Sequence, residues 1–211
     1  MLAGALTAVM LTSTASAHQY DYWNGKYIGK NGAPILLRIT KSAQTDLLNY
    51  NDVYSHGCDW NGISSNVSIK IAYEQTGMPA FEGEMLVKGE NLDDPGFLGV
   101  TYHYNILGQI VGSGSDWGYS TINKMNTSTT MYKDQRCRNA TEAARMTFIH
   151  EVGHALKLSH PYQDSRYTGH TYYGGRPYAV MNDGYPGQYN NAVSPSITDH
   201  DRSNLIAKWG A

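Results

Sequence analysis

Three histidines and a glutamate near the middle of the chain have the types and spacing of a catalytic metal site. They lie in the stretch HEVGHALKLSH, residues 150–160, with His150 and His154 four residues apart and His160 six further on. On a helix, residues four apart share a face, so two imidazoles can point at one ion while Glu151 lies about 100° round. Catalytic zinc typically takes three protein ligands and keeps one position for water. The pattern predicts zinc held by the three histidines, with Glu151 as general base.

The third ligand is the open part of this prediction. No glutamate follows Glu151 in the chain, which excludes sites that a downstream glutamate completes. A histidine or an aspartate remains, with His160 as first choice and His170 in reserve. Three other histidines are expected to be surface or hydrogen-bonded residues rather than ligands of a second metal: His56, His103 and His200.

A helix is predicted to carry the first two histidines. Its start at residues 139–142, Asn-Ala-Thr-Glu, fits a capping box. Its apolar side is expected to face away from the histidines and comprises Phe148, Ile149, Val152, Ala155 and Leu156.

A second helix is predicted near the end of the chain, within residues 197–210. Thr198 is a plausible N-cap and Gly210 ends the helix. Leu205 and Ile206 are expected to face inward.

Short apolar or alternating runs predict strands at residues 34–40, 67–73, 99–104 and 120–123. Residues 42–51 are a candidate helix between the first two. Residues 83–96, which include several acidic side chains, are expected to form a solvated loop. They are not expected to bind calcium, because the alternating Asp-x-Asp ligands of a calcium site are missing. Calcium is therefore a possible cofactor that no motif supports.

Length and composition favour one catalytic domain. The chain has 211 residues, of which 41% are hydrophobic, and a net charge of -2. There is no basic stripe and no later apolar segment long enough to span a bilayer, so neither nucleic acid nor membrane is an expected partner. We expect a monomer.

The first residues favour export. Residues 1–17 begin with an apolar stretch and end in Ala-Ser-Ala, which is typical of a signal peptide with its cleavage site. We therefore expect a secreted, extracellular protein with an N-terminal arm or short pro-segment at 18–33 and the catalytic domain at 34–211. After export, Cys58 and Cys137 are expected to pair, although two buried free thiols are the alternative.

The zinc motif resembles that of the metzincins, His-Glu-x-x-His-x-x-Gly-x-x-His followed by a methionine turn. Met181 in the segment Tyr-Ala-Val-Met-Asn, residues 178–182, fits that turn. Among metzincins the chain looks most like the matrixins, because its last helix has matching residues at Asp201, Ile206, Trp209 and Gly210. The resemblance implies an α+β domain with a mixed twisted sheet, an active-site helix and a C-terminal helix.

One departure from the motif has a structural cost. Lys157 stands where the motif has glycine. The glycine of the motif normally takes a left-handed backbone conformation. Any other residue adopts this conformation at a cost on the order of 1 kcal/mol.

The resemblance also implies a substrate groove. An extended peptide is expected to pair with an edge strand above the zinc, formed by Gly99, Val100, Thr101 and Tyr102. Asn182 and Tyr185, after the methionine turn, are expected to form a pocket wall. The sequence thus favours a zinc endopeptidase acting on proteins or peptides through Glu151. The alternative is a secreted binding protein on an inactive metzincin scaffold.

Overall fold

The computed structural model describes residues 22–23, 34–40, 56–73, 84–90, 92, 98–105, 107–113, 120–126, 140–160, 180–181 and 196–211. Within these ranges the chain forms one six-stranded sheet and two helices, which confirms the predicted α+β class. The strands are β1 (Ile35–Ile39), β2 (Ile69–Tyr73), β3 (Glu84–Glu90), β4 (Gly99–Tyr104), β5 (Ile110–Val111) and β6 (Ser120–Asn126). The helices are α1 (Ala140–Ala155) and α2 (Asp199–Trp209).

The sheet is mixed, with the strand order β2-β1-β3-β6-β4-β5. The first four strands in this order are parallel, whereas β4 runs antiparallel to β6 and to β5. Strand β5 pairs only with His103 and Tyr104. Among the described strands, none pairs with residues 99–101 of β4 on that side.

The four strand predictions are confirmed, but the predicted loop at residues 83–96 is wrong where β3 occupies it. Met85, Leu86 and Val87 are fully buried between β1 and β6. Glu84 is also buried and forms an ion pair with Arg38 of β1, at 3.1 Å. The many acidic residues in this stretch favoured a loop. Glu84 can be buried because its partner, Arg38, lies on a neighbouring strand.

Helix α1 buries the side that the sequence assigned to the core. Phe148, Ile149, Val152, Ala155 and Leu156 are at most 1% exposed. Trp60 lies in the same cluster and donates its Nε1 hydrogen to Ile149 O at 3.1 Å. The helix is therefore fixed on its core side by apolar packing and one buried hydrogen bond.

Helix α2 begins and ends as predicted. Thr198 is the N-cap of a capping box with Asp201, and Gly210 closes the helix with φ 89°. Leu205 is fully buried, but the prediction for Ile206 is wrong: its side chain is 39% exposed, since it lies about 100° round the helix from Leu205. Neither of the two described helices is long and apolar enough to cross a membrane. The candidate helix at 42–51 lies outside the described residues.

Candidate metal site

The three predicted histidine ligands meet at one point. His150 and His154 project from α1, and His160 reaches back from the turn that follows the helix. The Nε2 atom of His160 lies 2.9 Å from Nε2 of His150 and 2.8 Å from Nε2 of His154. These three side chains form a group that could hold a metal ion.

The other ring nitrogens are fixed by backbone carbonyls. Nδ1 of His150 donates to Val180 O and Nδ1 of His154 donates to Leu158 O, each at 2.8 Å. A carbonyl oxygen only accepts, so each of these rings carries its hydrogen on Nδ1 and turns an Nε2 lone pair toward the centre. At most one hydrogen, that of His160, can lie between the three nitrogens. The arrangement therefore fits a cation, and three imidazole nitrogens suit zinc.

Burial keeps the imidazoles in the neutral form that binds metal. It lowers the pKa of His154 well below the ordinary value, with the neighbouring histidines His150 and His160 adding to the effect. Burial, with a further contribution from His150, lowers the pKa of His160 to about 2. Neither ring needs to lose a proton at neutral pH before it can donate a lone pair.

The turn between the second and third histidines has the conformation that the motif requires, but with lysine in place of glycine. Lys157 has φ 72°, as the sequence predicts for this position. Its side chain is fully buried, and Nζ donates to Ser113 O at 2.9 Å. This hydrogen bond ties the turn to the segment that follows β5 and satisfies the buried ammonium group in part.

Met181, the residue of the predicted methionine turn, lies against α1. It is fully buried, and a methyl group added to Gly153 would collide with its sulfur and approach Trp60 to 2.9 Å. Asp201 of α2 accepts hydrogen bonds from the backbone nitrogens of Val180, at 2.8 Å, and Met181, at 3.3 Å. The last helix therefore holds the turn against the helix that carries the histidines.

Glu151 is buried beside the histidines and contacts β4. Its Oε2 lies 2.5 Å from the Oγ1 of Thr101, and the backbone O of Glu151 lies 3.0 Å from the same hydroxyl. A Cβ on Gly99 would lie 2.6 Å from Oε1, so glycine is needed for this approach. Burial raises the pKa of Glu151 to about 8, while the hydrogen bond from Thr101 opposes the rise.

The structure thus brings the predicted substrate strand next to the predicted base. Strand β4 carries Gly99, Val100, Thr101 and Tyr102; Thr101 contacts Glu151 directly, and a side chain at Gly99 would collide with it. Asn182 and Tyr185, the predicted pocket wall, lie outside the described residues, as does the reserve ligand His170. The roles of all six substrate residues stay predictions.

Cys58 is a free thiol whose Sγ lies 3.5 Å from Ile69 O. The structure therefore does not support its predicted pairing with Cys137, which lies outside the described residues.

The expectation of a hydrogen-bonded histidine holds for His56 and His103. Nδ1 of His56 lies 2.8 Å from Asp59 Oδ2, whereas Nε2 of His103 lies 3.1 Å from His154 O. Burial and the charge of Lys157 lower the pKa of His103 to about 4. His103 therefore supports the backbone of α1 as a neutral ring.

Two contacts were not predicted from the sequence. Thr101 was expected to meet substrate, yet its hydroxyl contacts Glu151. Trp23, in the N-terminal arm, stacks on the ring of His154, with centroids 4.9 Å apart and planes inclined by 22°. A tryptophan in a segment rich in tyrosine and glycine gives no local signal of a distant partner.

No protein-family model matches the chain, and no curated protein matches it. Among solved structures, the chain is similar to one in the GM1-bound form of the ECX AB5 holotoxin, with 12% identity, a TM-score of 0.51 and coverage of 89% of this chain and 86% of that one. This likeness concerns the fold alone.

Two further solved structures align at 12% identity with lower TM-scores. Archaemetzincin from Archaeoglobus fulgidus, complexed with malonate, has a TM-score of 0.38, with 80% of this chain and 99% of that one covered. Metalloproteinase-II from Bacteroides fragilis has a TM-score of 0.40, with 90% and 57% covered. The matrixin resemblance stays a prediction.

Proposed function

We propose that this chain is a secreted zinc-dependent endopeptidase of metzincin type, with matrixin-like features in its last helix. The observation that carries the proposal is the meeting of three imidazole Nε2 atoms, 2.8 and 2.9 Å apart, beside a buried glutamate. A structural zinc site would call for a fourth protein ligand and has no need of an acid next to the first histidine. His150, His154 and His160 would hold the zinc, and Glu151 would serve the reaction.

A bound zinc ion would supply Lewis acidity, which polarises a scissile carbonyl and lowers the pKa of a water molecule. The positive charge of the ion would also favour the ionised form of Glu151, against the effect of burial. Glu151 then takes a proton from the attacking water on its carboxylate and hands it to the departing amine. The hydroxyl of Thr101 holds Oε2, and the missing side chain at Gly99 leaves room beside Oε1. One carboxylate, held from β4, would therefore serve both halves of the hydrolysis.

The position of β4 supports a protein or peptide substrate. Among the described strands, none pairs with residues 99–101 on the side that β5 occupies further along, so an extended peptide can pair there within reach of Glu151. Asn182 and Tyr185 are proposed to form the wall beyond the cut bond. A monomer would be sufficient for catalysis, because every proposed ligand and the base come from one chain.

The experiment compares the purified secreted protein with Glu151→Gln, measuring casein cleavage and zinc content on the same samples. The variant removes the base and keeps the size of the side chain, so cleavage should fall by at least about a hundredfold with zinc retained. Glu90→Gln is the matched control, since Glu90 is exposed at the end of β3. It should cleave casein at the wild-type rate.

Two results would contradict the proposal. Zinc bound by both forms without cleavage by either would favour the inactive binding scaffold. Unchanged cleavage in Glu151→Gln would remove Glu151 from the mechanism.

A further inference from the structure

The N-terminal arm contacts the turn that delivers the third histidine. The backbone nitrogen of Trp23 donates to Lys157 O at 2.9 Å, and Tyr22 forms an isolated antiparallel bridge with Leu158. Lys208 of α2 lies over the ring of Tyr22, 5.3 Å from its centroid. The two described residues of the arm are therefore held by backbone pairing and by the last helix.

This backbone pairing places the indole of Trp23 on a proposed metal ligand. Its ring lies nearly parallel to that of His154, with the centroids 4.9 Å apart. It also meets the ring of His103 edge on, at 6.2 Å and 88°. His103 in turn contacts the backbone O of His154, so one histidine is contacted on its ring face and on its main chain.

The stack and the hydrogen bond restrain different motions of His154. The bond from Nδ1 to Leu158 O holds one edge of the ring at a fixed place. An aromatic ring stacked on the face opposes tilting of that plane. Together they leave Nε2 one direction in which to point, which is what a metal ligand needs.

We propose that Trp23 is a positioning residue of the metal site, which holds the imidazole of His154 in the plane that metal binding requires. The proposal rests on the proposed function in one respect, that the three histidines hold zinc. It makes the indole of Trp23 a part of the mature site and places any processing of the arm before this residue.

The geometry argues against the opposite role, a strap that blocks the site. The lone pair of Nε2 lies in the plane of the imidazole, whereas Trp23 lies on its face. A group in that place does not occupy the direction in which the metal binds. Removing the indole should therefore weaken zinc binding rather than release activity.

The test measures zinc affinity by competition with a chelating dye, using the full chain with Trp23→Leu, Trp23→Phe and Tyr22→Leu. Leucine keeps apolar bulk without a ring, and its zinc affinity should fall by about 10- to 100-fold, as for other groups that orient ligands. Phenylalanine restores a ring and should recover most of the loss. Tyr22→Leu is the matched control: it alters the adjacent arm residue, whose ring faces Lys208, and should bind zinc as the wild type does.

A second readout does not depend on folding of the leucine variant. Cobalt(II) bound among the histidines should quench the fluorescence of Trp23, so Trp23→Phe should lose the largest single share of the metal-dependent quenching. Equal quenching in Trp23→Phe and wild type would overturn the proposal. Zinc affinity of Trp23→Leu within about twofold of wild type, or faster peptide cleavage by that variant, would overturn it as well.

His154→Ala separates failure of this proposal from failure of the proposed function. If His154→Ala binds zinc as tightly as wild type, the metal site itself is wrong. If His154→Ala loses zinc while Trp23→Leu retains it, the metal site stands and the positioning role is wrong.

Discussion

Two turns flank the candidate metal site, and they are closed in different ways. The post-helix turn, residues 156–160, is closed by its own backbone: Lys157 N bonds to His154 O and Leu158 N to Gly153 O, with Lys157 in a left-handed conformation. Its contacts with Ser113 and the N-terminal arm come in addition to these bonds. The methionine turn, residues 180–181, is held by the carboxylate of Asp201, a side chain some 20 residues further on.

The difference indicates which turn the metal itself should stabilise. The post-helix turn carries His160, so a bound ion would tie it directly to α1. The methionine turn contributes no proposed ligand and contacts the site through Val180 O and His150 Nδ1. Loss of metal should therefore loosen the first turn more than the second.

Chelation should have the largest effect. If zinc is present at about 1,000 times its dissociation constant, its removal costs about 4 kcal/mol, or roughly 10 °C in Tm for a domain of this size. Calorimetry measures the total change. Hydrogen exchange should then rise more at Leu158 than at Met181, and equal rises would show that both turns depend on the metal.

Asp201→Ala should be the most damaging substitution for the methionine turn. It leaves the buried backbone nitrogens of Val180 and Met181 without their acceptor, at a cost of about 3 kcal/mol in free energy of unfolding. Chemical denaturation measures the loss. Asp199→Ala, at an exposed position in the same helical turn, should cost less than about 1 kcal/mol. If the two variants lost equal stability, the loss would come from a weaker helix start and not from the methionine turn.

Gly153→Ala should destabilise the packing of the methionine turn against α1. In an ordinary helix this change stabilises by about 1 kcal/mol, but here the methyl group collides with Met181 and Trp60. We expect a net loss of about 1 to 3 kcal/mol, typical of overpacking. In a Met181→Ala background the loss should shrink, and an unchanged loss would show that Trp60 alone resists the methyl group.

At position 157, glycine and alanine isolate the cost of the backbone conformation. Both lose the hydrogen bond to Ser113 O, but only glycine adopts φ 72° freely, so Lys157→Gly should be about 1 kcal/mol more stable than Lys157→Ala. At Lys208, inside α2, the alanine variant should instead be more stable than the glycine variant, by a similar free energy of unfolding. Equal stability of the two variants at position 157 would mean that the turn relaxes.

The sequence carried enough information for the parts of the site that depend on local spacing. His150 and His154 are one helical turn apart, Thr198 caps α2, and the left-handed conformation of Lys157 follows from its place after the second histidine. Each of these features is set by residues within a few positions of one another. A helix period or a cap residue predicts them without knowledge of the fold.

Features that depend on distant partners could not be predicted in this way. Strand β3 looked like a loop because the ion pair that buries Glu84 involves Arg38, on another strand. The hydroxyl of Thr101 meets Glu151 only once β4 lies along α1. The stack of Trp23 on His154 joins residues more than a hundred positions apart, and no pattern in the arm indicates it.

The left-handed lysine also bears on how such chains can be recognised. A search pattern that demands glycine three places after the second histidine would reject this sequence. Its three histidines nevertheless come together in a group that could hold a metal ion. The backbone angle is kept here while the residue type is not, because the buried amine finds an acceptor in Ser113 O. A pattern that leaves this position open and requires the three histidines and the glutamate would include sequences of this kind.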